Sequence, residues 1–203
     1  MKKVMLTVIS NREIAENVYE MKLSGDQSAI TTPGQFVNLK LEGCYLRRPI
    51  SVCDVDGDNL TLIYKVVGKG TDIMSKITPG TQIDTLSGLG NGFDLSAAGD
   101  MPLLIGGGGG TPPTYYLAKT LIKKGVTPQV VIGFNKKEEV FYADEFRALG
   151  AKTYVATADG SVGTKGFVTD VIKDLKYSYF YACGPLPMFK AVEGMAPGKG
   201  EYS

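Results

Sequence analysis

Along the first half of the chain, apolar and polar positions alternate in short runs interrupted by turn residues. Residues 4–9, 18–23, 35–41, 50–54 and 60–67 are rich in β-branched and aromatic side chains and read as strands. Thr32-Pro33-Gly34 and Asp56-Gly57-Asp58-Asn59 supply turns between them. Regular short strands with a single short helix, at 71–77, predict a small antiparallel barrel. The pattern changes near Ser87-Gly88-Leu89-Gly90-Asn91-Gly92-Phe93, and a polar stretch, Ser96-Ala97-Ala98-Gly99-Asp100, follows. The second half alternates short apolar runs (103–105, 129–133, 152–157, 178–182) with helical periodicity (113–124, 142–149, 167–175, 187–195). Such alternation predicts a parallel sheet with helices on both faces and ligands at the carboxyl ends of its strands. The expected architecture is a β barrel over residues 1–98 followed by an α/β domain over 99–203.

The most specific segment lies at the start of the second half. The apolar run Leu103-Leu104-Ile105 leads into five glycines, 106–110, and Pro112 and Pro113 then open a helical segment. A strand, a glycine turn and a helix bring backbone N–H groups close to a pyrophosphate. Proline suits a first helical turn, whose N–H groups lack partners. The spacing is not G-x-G-x-x-G, because the third glycine falls on Thr111 or Pro113; it reads G-G-G-x-G-x-P-P. A flexible linker is the alternative for a glycine run, but a buried strand and a proline-started helix rarely bracket one.

Composition then narrows the chemistry. The chain has 203 residues, 43% hydrophobic and 21% charged, within the range of an ordinary globular protein. A net charge of +1 gives no footprint for nucleic acid. No apolar run reaches transmembrane length. The N-terminal Met1-Lys2-Lys3 and its short apolar run read as a first strand rather than a signal, which predicts the cytoplasm. There is no histidine, which removes the commonest general base and every Ser-His or Cys-His nucleophile. Cys44, Cys53 and Cys183 form neither a disulfide framework nor a C-x-x-C metal pair, so no metal ligand is assigned. The chemistry is expected to come from a bound cofactor.

Four further segments have residue types suited to such a cofactor. In Leu46-Arg47-Arg48-Pro49-Ile50-Ser51, Arg48 can clamp a phosphate and the Ser51 hydroxyl can reach a ring heteroatom; a solvated arginine pair is the alternative. In Tyr64-Lys65-Val66-Val67-Gly68-Lys69-Gly70-Thr71, a strand ends in glycines at a helix start, which suits an anion; Thr71 can equally be a plain helix cap. Tyr181-Ala182-Cys183-Gly184-Pro185-Leu186-Pro187-Met188 ends the last predicted strand, where Cys183 either lines a nicotinamide pocket or is an ordinary buried cysteine. The loop Asp159-Gly160-Ser161-Val162-Gly163-Thr164-Lys165-Gly166 suits a ribose or its phosphate, or is a solvent loop.

In this order and spacing, the motifs resemble the electron-transfer subunit of bacterial class B dihydroorotate dehydrogenase, within the ferredoxin reductase superfamily, over nearly the whole chain. Arg47-Arg48-Pro49-Ile50-Ser51 resembles its flavin motif, Val67-Gly68-Lys69-Gly70-Thr71 its flavin diphosphate turn, and Leu89-Gly90-Asn91-Gly92-Phe93 its interdomain segment. The glycine turn, Asp159-Gly160-Ser161 and Cys183-Gly184-Pro185-Leu186-Pro187-Met188 resemble its nicotinamide half, and the double proline favours this family over close relatives.

The resemblance implies FAD on the barrel and NAD(H) on the α/β half. It also implies a two-iron, two-sulfur cluster and an FMN-containing catalytic partner that oxidises dihydroorotate in pyrimidine biosynthesis. Arg48, Pro49, Ser51, Tyr64, Val66, Gly68, Gly70 and Thr71 are then the flavin residues. Gly107, Gly108, Gly110, Asp159, Gly160, Ser161, Cys183, Gly184 and Pro185 are the dinucleotide residues, with Ser51 and Cys183 nearest the hydride transfer. Neither nucleic acid nor membrane is an expected partner, and the full-length protein is expected in a hetero-oligomer.

Three departures stand out. Gly109 and Thr111 occupy positions that are usually apolar in the family, and Ala158 replaces a residue that is often acidic. Residues 198–203 resemble the opening of the cysteine-rich cluster segment, yet only three cysteines exist, where such a cluster usually needs four thiolates. A shortened form of the family protein is therefore expected. The competing readings are a subunit of an NADP-linked ferredoxin or sulfide reductase, and a non-catalytic binding module with a degenerate glycine turn.

Overall fold

The computed structural model describes residues 1–196 and 200–203. Two compact units divide the chain, Met1–Gly92 and Phe93–Ser203. The first is a closed barrel of six strands: β1 (Lys2–Ala15), β2 (Val18–Ser24), β3 (Phe36–Leu39), β4 (Arg48–Asp56), β5 (Asn59–Lys65) and β6 (Gln82–Leu89). They run antiparallel in the order β1-β2-β5-β4-β3-β6. Leu6, Met21, Leu23, Val37, Leu39, Val52, Leu60 and Leu62 are fully buried in its core. Removing this apolar surface from water is what drives closure.

The sixth strand does not emerge from the alternation of apolar and polar residues. Its inward positions are Ile83, Thr85 and Ser87, all buried, while Leu86 points to the other face. Two polar residues inside and a leucine outside erase the period-two signal. The short helix also begins earlier than expected, as α1 (Lys69–Ser75). Gly68, extended at φ −178°, is its N-cap, and Thr71 stands at the third helical position, where its hydroxyl accepts from the Gly68 N–H.

The second unit holds β7 (Leu103–Gly107), β8 (Gln129–Phe134), β9 (Lys152–Thr157), β10 (Thr164–Lys165), β11 (Phe180–Cys183) and β12 (Gly200–Tyr202). All pairings are parallel, in the order β10-β9-β8-β7-β11-β12. Between them run α2 (Thr111–Lys123), α3 (Ala143–Ala148), α4 (Val168–Ile172) and α5 (Leu186–Met195). On one face, Leu103, Ile105, Val131, Phe180 and Ala182 meet Val168, Val171 and Ile172 of α4 and Val192 of α5. In α2, Tyr115 meets Tyr142 and Phe146 edge-on, with centroids 4.9 and 5.3 Å away.

The chain builds β7, β8 and β9 outward and then returns to lay β11 against the other side of β7. The sheet therefore reverses its order between β7 and β11, where parallel sheets open a crevice at the carboxyl ends of their strands.

Two features of this unit differ from the sequence expectation. The units part between Gly92 and Phe93, ahead of the division expected after residue 98. Phe93 sits edge-on to Tyr181 at 5.5 Å, and the Tyr181 hydroxyl donates to the Asp94 carbonyl at 2.7 Å. The polar stretch at which the sequence divides the domains begins in a short turn, Leu95–Ala97, capped by the Asp94 carboxylate. At the other end, Gly200–Tyr202 pairs with β11, and the Tyr202 ring lies 5.3 Å from Phe180 and 5.0 Å from Phe189. Gly198 and Lys199, part of the expected cluster opening, lie outside the described residues. Among the described residues, no helix is long and apolar enough to cross a membrane.

Candidate functional site

Each unit carries one candidate site. In the barrel, β4 and β5 pair only between Val52–Asp56 and Asn59–Leu62, with an irregularity between Val52 and Asp54. The preceding residues of β4, Arg48 to Ser51, pair with β3 alone, and the end of β5, Ile63 to Lys65, pairs with β2 alone. A bulge re-aims a strand and ends its pairing, so the two strands part and leave a notch. Arg48, Pro49 and Ser51 lie along one wall of it and Tyr64 along the other.

The turn after β5 closes the notch. Thr71 Oγ1 accepts from the Val67 and Gly68 N–H groups at 2.9 and 3.2 Å and donates to the Gly68 carbonyl at 3.0 Å. The Thr71 hydroxyl thus shapes the turn. Over this turn lies Arg48: a Cβ on Gly70 would fall 1.9 Å from Arg48 Nε. The Arg48 guanidinium also donates to the Leu46 and Arg47 carbonyls at 2.7 and 3.3 Å. A guanidinium held over a side-chain-free helix start fits the diphosphate of a flavin dinucleotide.

The neighbouring Arg47 does something else. Its guanidinium donates to the Asn38 and Asp84 carbonyls at 3.3 and 2.9 Å and to Asp84 Oδ1 at 2.8 Å, tying β3 to β6. That guanidinium, and then Lys3, hold the Asp84 carboxyl below its ordinary value.

Tyr64 also has a structural task. Its hydroxyl donates to Asn11 Oδ1 at 2.8 Å, and Asn11 Nδ2 donates to the Met74 and Ile77 carbonyls at 2.8 and 3.1 Å. Burial raises the Tyr64 hydroxyl above its ordinary range, so it stays protonated and holds α1 onto the barrel. Val66 is half-buried, and its N–H donates to the Asn17 carbonyl at 2.8 Å.

Sequence reasoning passes over Ile50. The register pairs Val37 with Ile50 and Leu39 with Arg48, so Ile50 shares a face with Arg48, and Pro49 with Ser51. The three predicted residues therefore do not share one face; they meet one ligand only along the notch edge of β4. Period-two counting along β4 is the signal that identifies Ile50.

In the second unit, the carboxyl ends of β7, β8, β9 and β11 lie on one edge of the sheet. The glycine turn follows β7, and α2 begins at Thr111 with Pro112 and Pro113 in its first turn. A Cβ on Gly110 would lie 2.0 Å from the Cys183 carbonyl oxygen, so the turn touches the end of β11. A Cβ on Gly107 would lie 2.6 Å from Met188 Sδ, and one on Gly184 would lie 2.6 Å from Met188 Cε. Met188, on the first turn of α5, fills the space these two glycines leave, a role with no local sequence signal.

Gly108 and Gly109 are different. Nothing lies within 4 Å of a Cβ at either, and Gly108 has φ +49°. Of the five glycines, these two face open space at the crevice. The open backbone of Gly108 and Gly109, at the positive end of a thirteen-residue helix whose Pro112 and Pro113 carry no N–H of their own, fits the diphosphate of a nicotinamide dinucleotide.

Thr111 is fully buried and its Oγ1 finds no hydrogen-bond partner among the described residues. An unsatisfied buried hydroxyl costs stability, and valine has the same shape without it. The Thr111→Val variant is expected to be more stable by about 1 kcal/mol in urea unfolding; equal or lower stability would refute this account of Thr111.

Cys183 is half-buried at the end of β11, and burial pushes its thiol up to about 11 from 9.0. It is a protonated, uncharged group at neutral pH. The unfolded thiol ionises first as pH rises, so stability falls between about 9 and about 11 and is unaffected by this group below that window. The expected slope is about 1.4 kcal/mol per pH unit, read from unfolding of the parent against Cys183→Ala. Matching pH dependences in the two proteins would contradict it.

The Asp159 loop follows β9. Asp159 Oδ1 accepts from the Ser161 hydroxyl at 2.6 Å and the Ser161 N–H at 2.9 Å, which hold its carboxyl below the ordinary value. Ser161 Oγ in turn accepts from the Lys137 N–H at 2.8 Å, fixing the loop to the residues after β8. Gly160 takes φ +77° beside the Lys165 side chain. Carboxylate and hydroxyl remain exposed, which suits a ribose.

The thiols do not suit an iron-sulfur cluster. Cys44 and Cys53 belong to the barrel unit and Cys183 to the other, and none of the three is in a disulfide. Among the described residues, no three His, Cys, Asp or Glu side chains gather in a way that would hold a metal ion.

Known proteins resemble this arrangement closely. Residues 104–194 match the family of oxidoreductase NAD-binding domains. The chain is 50% identical to the electron transfer subunit of dihydroorotate dehydrogenase B (NAD(+)) from Geobacillus sp. (strain WCH70), covering 100% of this chain and 82% of that protein. Identity to the subunit of the same name from Fusobacterium nucleatum subsp. nucleatum is 48%, over 92% and 77%. Among solved structures, a chain of the NADH-dependent reduced ferredoxin-NADP oxidoreductase superposes with TM-score 0.84 at 31% identity, over 95% of this chain and 72% of that one. A ferredoxin NADP+ reductase from Neisseria gonorrhoeae shares the fold, with TM-score 0.83 at 18% identity over 100% and 98%. With half its residues identical to such a subunit over its entire length, the chain belongs to the family of dihydroorotate dehydrogenase B electron transfer subunits.

Proposed function

We propose that this protein is an oxidoreductase flavoprotein that exchanges electrons between NAD(H) and FAD and relays them to or from an FMN-containing dihydroorotate dehydrogenase catalytic subunit. The observation that carries the reading is the crevice between β7 and β11, where the glycine turn meets the Cys183 carbonyl. When bound, the two cofactors supply hydride exchange between nicotinamide and flavin.

The chain's own residues bind and orient. Arg48 and the Gly68-Lys69-Gly70-Thr71 turn hold the flavin diphosphate, with Ile50, Pro49 and Ser51 along the notch edge of β4. Gly108 and Gly109, ahead of α2, hold the dinucleotide diphosphate, while Asp159, Gly160 and Ser161 meet a ribose. Cys183, Gly184 and Pro185 border the nicotinamide. A chain without histidine and with Cys183 protonated lacks the commonest general base and a thiolate at the site, so its contribution is alignment. The barrel unit, Met1–Gly92, is then the FAD domain and Phe93–Ser203 the NAD domain. Three cysteines outside any disulfide suit a reducing cytoplasm.

The test is co-expression with the dihydroorotate-oxidising subunit, followed by a visible spectrum and dye reduction with NADH, with NADPH in a parallel arm. The expected result is a yellow complex that reduces dye with NADH. A colourless protein that takes up no flavin and reduces no dye would overturn the reading. Preference for NADPH would favour the NADP-linked reductases.

A further inference from the structure

Among the described residues, the most exposed large apolar side chain is that of Tyr45, whose relative exposure of 101% means that nothing covers its ring. It belongs to the loop between β3 and β4. Leu46 beside it is 66% exposed, and Val67, at the edge of the Gly68 turn, is 80% exposed. Tyr45 and Leu46 precede the Arg48 clamp in sequence, and Val67 belongs to the turn over which Arg48 lies. The Leu46 carbonyl accepts from Arg48 Nη1 at 2.7 Å, and the Val67 N–H donates to Thr71 Oγ1 at 2.9 Å.

The position of the tyrosine backbone follows from covalent geometry. Adjacent Cα atoms are about 3.8 Å apart, so the Tyr45 Cα lies within about two residue lengths of the Arg48 guanidinium. A tyrosine ring reaches far enough from there to span one ribose beyond a phosphate on that guanidinium. An exposed aromatic ring costs little to order and presents a face on which a purine stacks. Beside a phosphate clamp, such a ring is placed to meet a nucleobase.

We propose that Tyr45 is the stacking platform for the purine of a flavin dinucleotide whose diphosphate lies on Arg48 and the Gly70 turn. Tyr45 thereby favours FAD over FMN, which has no purine. The inference rests on the reading of the barrel as a flavin site.

The test measures FAD and FMN affinities of flavin-free protein by flavin fluorescence, for the parent, Tyr45→Ala and Tyr45→Phe. Because Tyr45 touches nothing in the core, its variants are expected to melt with the parent. Tyr45→Ala is expected to bind FAD about tenfold more weakly, within the range of base stacking, with FMN affinity unchanged. Tyr45→Phe is expected to retain FAD affinity. Unchanged FAD affinity in Tyr45→Ala, or equal losses for FAD and FMN, would overturn the proposal while leaving the flavin site standing. A parent protein that binds neither flavin would overturn both.

Discussion

Replacing Gly110 with alanine is expected to lower NADH-dependent dye reduction by about a hundredfold while flavin stays bound to the barrel. The added Cβ would lie 2.0 Å from the Cys183 carbonyl oxygen and 2.5 Å from the Gly184 N, both of them backbone. No flexible side chain can yield there, so the start of α2 and the end of β11 must move apart. Overpacking of this kind costs about 1–3 kcal/mol. A displacement near 1 Å at reacting groups costs about a hundredfold in rate. Gly194→Ala, in α5, is the control, since its Cβ meets nothing within 4 Å. That variant is expected to be unchanged or more stable by about 0.5 kcal/mol, because alanine restricts the unfolded chain. Stopped-flow reduction of the bound flavin, with urea unfolding alongside, checks both. Parent-like reduction by Gly110→Ala would refute the close contact as the reason for glycine.

The second large effect is expected at Arg48. Removing a charge-assisted, paired contact to phosphate costs about 2 kcal/mol, or roughly thirtyfold in affinity. Arg48→Ala is therefore expected to bind FAD about thirtyfold more weakly, by flavin fluorescence titration. Its stability is expected to stay near the parent's, because the guanidinium donates only to nearby carbonyls of its own loop. Binding by the parent should also weaken with added salt more than binding by the variant, since the lost contact is ionic. Arg47, one position earlier, is expected to show the reverse pattern, because it joins β3 to Asp84 of β6. Parent-like FAD affinity in Arg48→Ala would remove Arg48 from the cradle.

Much of this was readable along the chain, for identifiable reasons. The strand of residues 152–157 was placed to the residue, and α2 and β8 nearly so, because their apolar positions recur at helical or strand period. Strand β6 was missed because Thr85 and Ser87 are its buried residues. Strand β12 is three residues long and depends on β11 for its pairing, so no local pattern announces it. The compact units part between Gly92 and Phe93, and Phe93 and Asp94 are held by Tyr181, far along the chain.

The sequence by itself determined the class of fold, the order of the cofactor motifs and the chemistry that is excluded, since these depend on residue type and spacing. It located Arg48, Gly70, the glycine run and Cys183 as residues, each with an alternative reading left open. Only the tertiary structure separated their roles. It divided the arginines between a clamp over the Gly70 turn and a barrel tie, and turned Thr71 and Tyr64 into supports of the α1 turn. It also divided the five glycines. Gly107 and Gly110 lack a side chain because Met188 and the Cys183 carbonyl occupy that space, while Gly108 and Gly109 lie open at the crevice. The physical reason is distance: a motif states which backbone can approach a ligand, but the neighbour that makes approach necessary comes from β11 and α5, more than seventy residues away.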